Sequence, residues 1–437
     1  MNSALARILT ATAAGIPDDS WTAARLRVET DREAVERLIN APRRPAVYGF
    51  TTLLGPLDHV DSSAYDQHDL LAAHLLGRAH QVDGRVVRLI TSFKIEQLAH
   101  GGSGISPGTY ARVLASIERT TPCAIAWQTS YGSGDVVPAA WWIAGTVGRD
   151  VDALPAGDLI ALLSGHFISS AVATAALLAL IRYLGDFMAV AGTLAAPARA
   201  AGEDDAAELI DLMRQSYAPR PGPVQRPVSI RDSRVFAEPA VRTLRELAAS
   251  LDHRGAGESA NPLFRVIDHQ AQAMSQASFL DVGLTLQVVA AQQLVLFLMG
   301  AAQRFTVAVC NDLETRTHEP HPEHVQPPKV AQALLENARA VAAAPASYSG
   351  SQSGGVEDLW DGSLIASTGL LRVLALAEEQ MELLGAVVST AGLRRLTTAP
   401  IFIDHLVAVA GLPTTVVPLV GETEAGRLLA QIGATGT

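Results

Sequence analysis

Three stretches of the chain are apolar on nearly every face: roughly residues 158–197, 264–310 and 363–391. Each runs well past the usual helix length. A helix without a polar face must be covered on all sides. The pattern therefore predicts long helices buried inside a bundle, within one chain or across subunits. Leu159 to Val190 is apolar enough to raise a membrane span, but His166, Arg182 and Asp186 interrupt it. Such residues are expensive in lipid, so the stretch reads as a buried bundle helix, with no membrane partner.

The first 150 residues are patterned differently. Residues 1–40 have helical spacing with a charged stretch from Asp31 to Glu36, closed by Pro42 and Pro45. Ala46 to Thr52 is short and β-prone. Helical spacing returns over Gln67–Gly77 and Val86–Leu98, and Ser106-Pro107 opens a further helix through Glu118, serine as cap and proline in the first turn. Pro219 to Pro227 and His318 to Pro328 read as Pro-rich linkers, and Ser349 to Gly355 as a Gly/Ser loop. There is no repeat of solenoid period. The expected fold is mainly α. An N-terminal region of loops and short strands, residues 1–155, leads into a long-helix bundle, residues 156–437, as one continuous unit.

Between these regions lies Tyr131-Gly132-Ser133-Gly134-Asp135-Val136-Val137-Pro138, set between the apolar runs Ala124–Trp127 and Ala139–Trp142. An ordinary turn would use the glycines for positive φ. Alternatively, a serine between small residues is where a backbone can fold back and attack itself.

Composition narrows the choices. Of 437 residues, 49% are hydrophobic, 18% charged and 5% aromatic, as in a globular, alanine-rich, helical protein. A net charge of −11 without a basic patch argues against a nucleic-acid partner. Two cysteines, Cys123 and Cys310, make no disulfide framework and suit a reducing, cytoplasmic setting. Arg7 and the run Ile8–Ile16 lack the pattern of a signal peptide. His318, His321 and His324 cluster with Glu319 and Glu323. However, Pro320 and Pro322 break the helix a zinc motif needs, so a solvated loop and no metal are expected. Gly101-Gly102-Ser103-Gly104 lacks the Lys-Ser/Thr ending of a phosphate loop. A serine-hydrolase elbow fails at Tyr131 and at Ile105, where glycine is required. His74, four residues after Leu70 in an apolar helical pattern, is either a satisfied core histidine or a site residue.

An ordered series of motifs carries a resemblance. Tyr48 to Gly55 resembles the Tyr-Gly-x-x-Thr-x-x-Gly signature of the histidine/phenylalanine ammonia-lyase superfamily. Gln67 to Gly77 resembles its Gln-x-Asn-Leu-x-x-Ser-His-x-x-Gly helix, and Ser103-Gly104-Ile105 its Ser-Gly-Ile/Val turn. The Gly132–Pro138 stretch resembles Ala-Ser-Gly-Asp-Leu-x-Pro. Leu159–Gly165, Tyr217–Arg220, Asn261–Leu263, Ser278-Phe279 and Val356–Asp358 continue the series in family order.

The resemblance implies a methylidene-imidazolone cofactor formed from Gly132-Ser133-Gly134. The Gly134 nitrogen attacks the Gly132 carbonyl and Ser133 loses water. Residue 132 supplies only its carbonyl, so glycine in place of alanine need not prevent closure. It also implies an ammonia-lyase or 2,3-aminomutase acting on an α-amino acid. Tyr48 would be the base, Tyr217 would line the electrophile, and Arg220 would clamp the carboxylate. His74 and Glu357 would face the substrate side chain, with Ser164 and Phe279 lining the site. A homotetramer follows, each site drawn from more than one subunit. The chain departs from the pattern at Ser164, Gln215, Asp69, Ala73, Ser278 and Leu280. It also looks shortened between Pro138 and Ala156 and around 313–328. Those departures keep open a relative with different elimination, addition or cyclisation chemistry, or a non-catalytic binding protein.

Overall fold

The computed structural model describes residues 3–119, 121–148, 154–197, 205–217, 225–255, 257–317, 322–342, 348–393 and 399–421. The first part carries α1 (Ala4–Ala14), α2 (Asp19–Ala23), α3 (Arg25–Ile39), α4 (Gln67–His74), α5 (Gly84–Ala99), α6 (Pro107–Ser116) and α7 (Val136–Thr146). The bundle then carries α8 (Asp158–Leu163), α9 (Phe167–Leu194), α10 (Asp205–Ser216), α11 (Arg234–Gly255), α12 (Val282–Thr317), α13 (Pro322–Val325), α14 (Pro327–Val341), α15 (Ser363–Thr390), α16 (Ala399–Val409) and α17 (Val417–Gly421). The fold is mainly α, as the sequence predicts.

Three antiparallel strand pairs complete the described residues: β1 (His80–Val82) with β2 (Cys123–Ile125), β3 (Leu263–Ile267) with β4 (Gln270–Met274), and β5 (Tyr348–Gln352) with β6 (Glu357–Trp360). In the β3–β4 hairpin the two loop residues, Asp268 and His269, both take positive φ. Two-residue hairpins use that geometry because it matches the strand twist.

The centre of the bundle is α9, buried along its length except at Arg182 and Asp186. It packs on α5, α11, α15 and α16, while α12, α14 and α15 pack on one another. Phe187 of α9 ties three helices together, its ring 5.3 Å from Phe236 of α11 and 6.0 Å from Phe305 of α12. Two helical stretches, Asp158–Leu194 and Val282–Thr315, are long and apolar enough to cross a membrane; the first is almost wholly covered by the fold, the second half covered.

A buried ion pair joins the two parts of the chain. Arg32 of α3 donates to Asp158 at the start of α8 (3.2 Å), and to the carbonyls of Gly104 (2.8 Å) and Ala156 (3.1 Å). Asp158 also accepts from the Ser106 amide (2.9 Å) and hydroxyl (2.5 Å). Ser106 in turn caps α6, accepting from the Thr109 amide, with Pro107 in the first turn as expected.

The structure corrects four local expectations. Ala46–Thr52 is a turn, because the Thr51 hydroxyl takes the Val47 amide (2.7 Å) that a strand would have used. The 264–310 segment opens with the β3–β4 hairpin, which ends at Met274, and its helix begins only at Val282. The described end of the His318–Pro328 segment is helical, with Pro327 in the first turn of α14, where a missing N–H costs nothing. Ser349–Gly355 contributes strand β5. His318, His321 and most of the Pro219–Pro227 linker lie outside the described residues. Both cysteines are buried free thiols.

Candidate active site

Gly132-Ser133-Gly134 forms the turn that leads into α7. Gly132 and Gly134 take φ +99° and +77°, a region side chains avoid, and Asp135 follows at +49°. Ser133 is buried between them.

The turn is fixed from both ends. The Gly132 amide donates to the Ser130 hydroxyl (3.1 Å), which itself donates to Asp135 (2.5 Å). The other Asp135 carboxylate oxygen accepts from the Ser169 amide of α9 (3.2 Å). Burial pushes the Asp135 carboxyl up to about 6; donors from Ser130 and Ser169 oppose this, and the charge of Asp361 adds to it. The Gly132 carbonyl accepts from the Asp361 amide (3.2 Å).

Above the turn lies an acidic, phenolic wall. The Ser133 hydroxyl donates to Glu357 of β6 (3.3 Å). The second oxygen of Glu357 accepts from the Tyr131 phenol and the Ser353 hydroxyl, each at 2.5 Å. The Tyr131 ring stands edge-on to Trp360, 5.5 Å between centroids. Tyr48 is half-buried and its phenol oxygen accepts from the Gly55 amide (2.9 Å). Burial pushes the Tyr48 phenol above its ordinary value. The Gly55 amide opposes that shift; the charges of Glu357 and Asp58 reinforce it. Tyr131 is pushed up as well, by burial and by its bond to Glu357.

The opposite wall is built from the 164–166 loop and the segment before α12. Phe279 packs on Gly134. The Ser164 hydroxyl donates to the Asn261 carbonyl (3.0 Å), and the Ser278 hydroxyl bonds to the Ala260 amide (3.3 Å) and carbonyl (3.4 Å). Lys94 is buried. Its ammonium donates to the Ser164 carbonyl (2.6 Å) and stands 4.7 Å from the centre of the Phe167 ring. Burial brings it down to about 7.

The cluster thus brings together Tyr48, Gly132, Ser133, Gly134, Phe279 and Glu357, while Ser164 is held by the Asn261 carbonyl and by Lys94. Among the described residues its hydrogen bonds do not extend to two others. His74 is half-buried and turns its Nδ1 back to the Leu70 carbonyl of its own helix (2.7 Å). The Tyr217 phenol accepts from Arg226 (3.1 Å) at the end of α10, a helix that packs on α9, α11 and α16. Arg220 lies outside the described residues. Sequence reasoning missed Tyr131, Ser353, Asp361 and Lys94 as site residues. Tyr131 had a signal, since it adjoins the tripeptide; the others come from distant segments and had none. The trio Asp66, His68 and Asp69 is exposed on α4 and its cap, outside this cluster.

Comparison with known proteins bears on the family and the fold. Residues 9–152 match the family model described as aromatic amino acid lyase. A histidine ammonia-lyase of Alkaliphilus metalliredigens (strain QYMF) is 31% identical over 122 residues, a match spanning 27% of this chain and 24% of that relative. The fold is similar to that of the phenylalanine aminomutase of Pantoea agglomerans, with a TM-score of 0.71 at 15% identity, covering 97% of both chains. It is also similar to a tyrosine aminomutase from Streptomyces globisporus, with a TM-score of 0.70 at 17% identity, covering 98% of this chain and 96% of that one. Residues 9–152 are thus similar in sequence to the aromatic amino acid lyases, and the whole length is similar in fold to these two aminomutases.

Proposed function

We propose that this protein is an ammonia-lyase or 2,3-aminomutase acting on an α-amino acid, through a methylidene-imidazolone built from Gly132-Ser133-Gly134. The observation that carries the reading is the buried Ser133 between two positive-φ glycines, its hydroxyl on Glu357 and the Gly132 carbonyl on the Asp361 amide. A tripeptide so bent, with small residues on both sides of the serine, fits the group. When formed, that group supplies an electrophile for the substrate amine, which side chains alone cannot provide.

The remaining tasks fall to the chain's own groups. Tyr48 takes the β proton. Its phenol is held protonated by burial and by Glu357, so it becomes a base only when a positive charge comes beside it, and the substrate ammonium is such a charge. Glu357 faces the substrate side chain and favours one with a hydrogen-bond donor. Arg220 clamps the carboxylate, as the family resemblance implies. Each site draws on more than one copy, as the family resemblance implies. The exposed Leu286 and Phe297 on α12 support such an assembly, a homotetramer.

One observation favours a second reading, a catalytically silent relative. Ser164 and Ser278 replace asparagines of the family pattern, and both hydroxyls are spent on backbone groups. Intact mass separates the two readings. A purified chain lighter than its sequence by two waters has cyclised, while full mass overturns the first reading. Incubation with a panel of α-amino acids, followed for ammonia, an unsaturated acid and a β-amino acid, then identifies the reaction.

A further inference from the structure

We propose that the backbone amide of Asp361 is the oxyanion donor for ring closure of the tripeptide, and that Gly132 is glycine so that its carbonyl can reach that amide. The proposal rests on the cyclising reading above and concerns how the ring forms.

The atoms balance without an outside reactant. The Gly134 nitrogen bonds to the Gly132 carbonyl carbon, and the carbonyl π pair moves onto oxygen. That oxygen leaves as water with the protons of the Gly134 and Ser133 amides. A second water takes the Ser133 Cα proton and hydroxyl. The barrier-setting charge of the first step therefore develops on the Gly132 oxygen. The Asp361 amide already donates to that atom at 3.2 Å. Donors aimed at a developing oxyanion act without reorganisation in a dry site.

The donor is held still. One Asp361 carboxylate oxygen accepts from the Ser363 amide (2.8 Å) and the other from the Asp281 amide. The Asp361 carbonyl accepts from the Thr285 hydroxyl (3.2 Å). Residue 361 is thus clamped by both α12 and α15, while the Gly132 amide is anchored on Ser130. The approach leaves no room for a side chain. A Cβ at residue 132 would lie 2.5 Å from the Gly362 nitrogen and 3.1 Å from its Cα. Both are backbone atoms that cannot swing away. A Cβ at Gly134 meets only ordinary contacts with Phe279 at 3.5 Å, so glycine there serves φ alone.

The test is the rate of ring closure, read by mass and not by turnover. Full-length wild type, Gly132→Ala and Asp361→Ala are made by cell-free synthesis, quenched at intervals and weighed, with circular dichroism melts checking the fold. Gly132→Ala pushes the carbonyl off the amide; Asp361→Ala frees the amide while leaving Gly132 untouched. The expected result is loss of both waters slowed by about 10²–10³-fold in folded Gly132→Ala, as for removal of one oxyanion donor, and slowed in the same direction in Asp361→Ala. If one variant fails to fold, the other decides. A wild type that cyclises alongside variants that keep pace overturns the proposal alone. A wild type at full mass overturns it together with the cyclising reading.

Discussion

Removing the Asp158 carboxylate should nearly unfold the protein. Asp158 is fully buried, and its partner Arg32 is buried as well. Asp158→Ala leaves the Arg32 charge with the Gly104 and Ala156 carbonyls and, as its remaining carboxylate, the exposed Glu36 (2.9 Å), and breaking a buried pair from one side costs about 3–5 kcal/mol. It also orphans the buried Ser106 amide, a further cost of about 1–3 kcal/mol. The two losses share one site and do not simply add, so about 4–6 kcal/mol is expected, against a typical total of about 5–15. Burial nevertheless holds the Asp158 carboxyl above its ordinary value despite the donors from Ser106 and Thr109 and the Arg32 charge. The pair as a whole is therefore paid for by the surrounding fold. Arg32→Met with Asp158→Leu should recover most of the single-variant loss, since apolar replacements of buried pairs are often neutral or better. Urea unfolding followed by tryptophan fluorescence and far-ultraviolet circular dichroism reads the changes, and coincident transitions license the free energies. A single variant costing less than about 1 kcal/mol, the worth of an exposed pair, would refute the reasoning.

Asp135 is raised to about 6, so its protonated form is favoured in the fold and stability falls as pH rises from about 4 to about 6, by at most about 1.4 kcal/mol per pH unit. Asp135→Asn should flatten that part of the profile of unfolding midpoint against pH. Lys94 is lowered to about 7, so the fold gains stability as pH rises from about 7 to about 10, with the same limiting slope. In Lys94→Met that gain should vanish from the same melts. Tyr48→Phe should leave the cyclised mass unchanged and lower turnover of a responsive amino acid by about 10²–10⁴-fold. Initial rates at several pH values should show wild-type kcat/KM climbing on the alkaline side, because the free phenol lies above its ordinary value.

How far the sequence could be read depended on the range of the cause. Long apolar runs predicted α9 and α15 because burial on every face leaves no polar stripe. The same rule failed over residues 264–281. There β3 and β4 pair as a hairpin, and its turn residues Asp268 and His269 carry positive φ without glycine. The ordered motifs named the tripeptide, Tyr48, Phe279 and Glu357, which the fold brings close to one another. His74, named with them, bonds to the Leu70 carbonyl of its own helix. Asp361 could not be found, since it acts across more than 220 positions, and Ser353 joins the cluster only through Glu357, whose partners Tyr131 and Ser133 lie as far away; no local spacing encodes that.

The same long reach explains why the tripeptide looks unusual. With glycine at 132, the backbone of Gly362 comes close enough to occupy the place of a methyl group. The bulk absent there stands one residue earlier, in Tyr131, whose ring meets Trp360 and whose hydroxyl reaches Glu357. Both features bind the turn to one short segment, residues 353–362. That segment also supplies the amide on the Gly132 carbonyl and the carboxylate on Ser133. The turn and the segment therefore work as one part, and a change in either must be answered in the other. Ser133 accordingly has one neighbour at its hydroxyl and another at the preceding carbonyl, the two atoms that ring closure must lose. Both neighbours come from residues 357–361, β6 and the link into α15, rather than from the turn's own sequence.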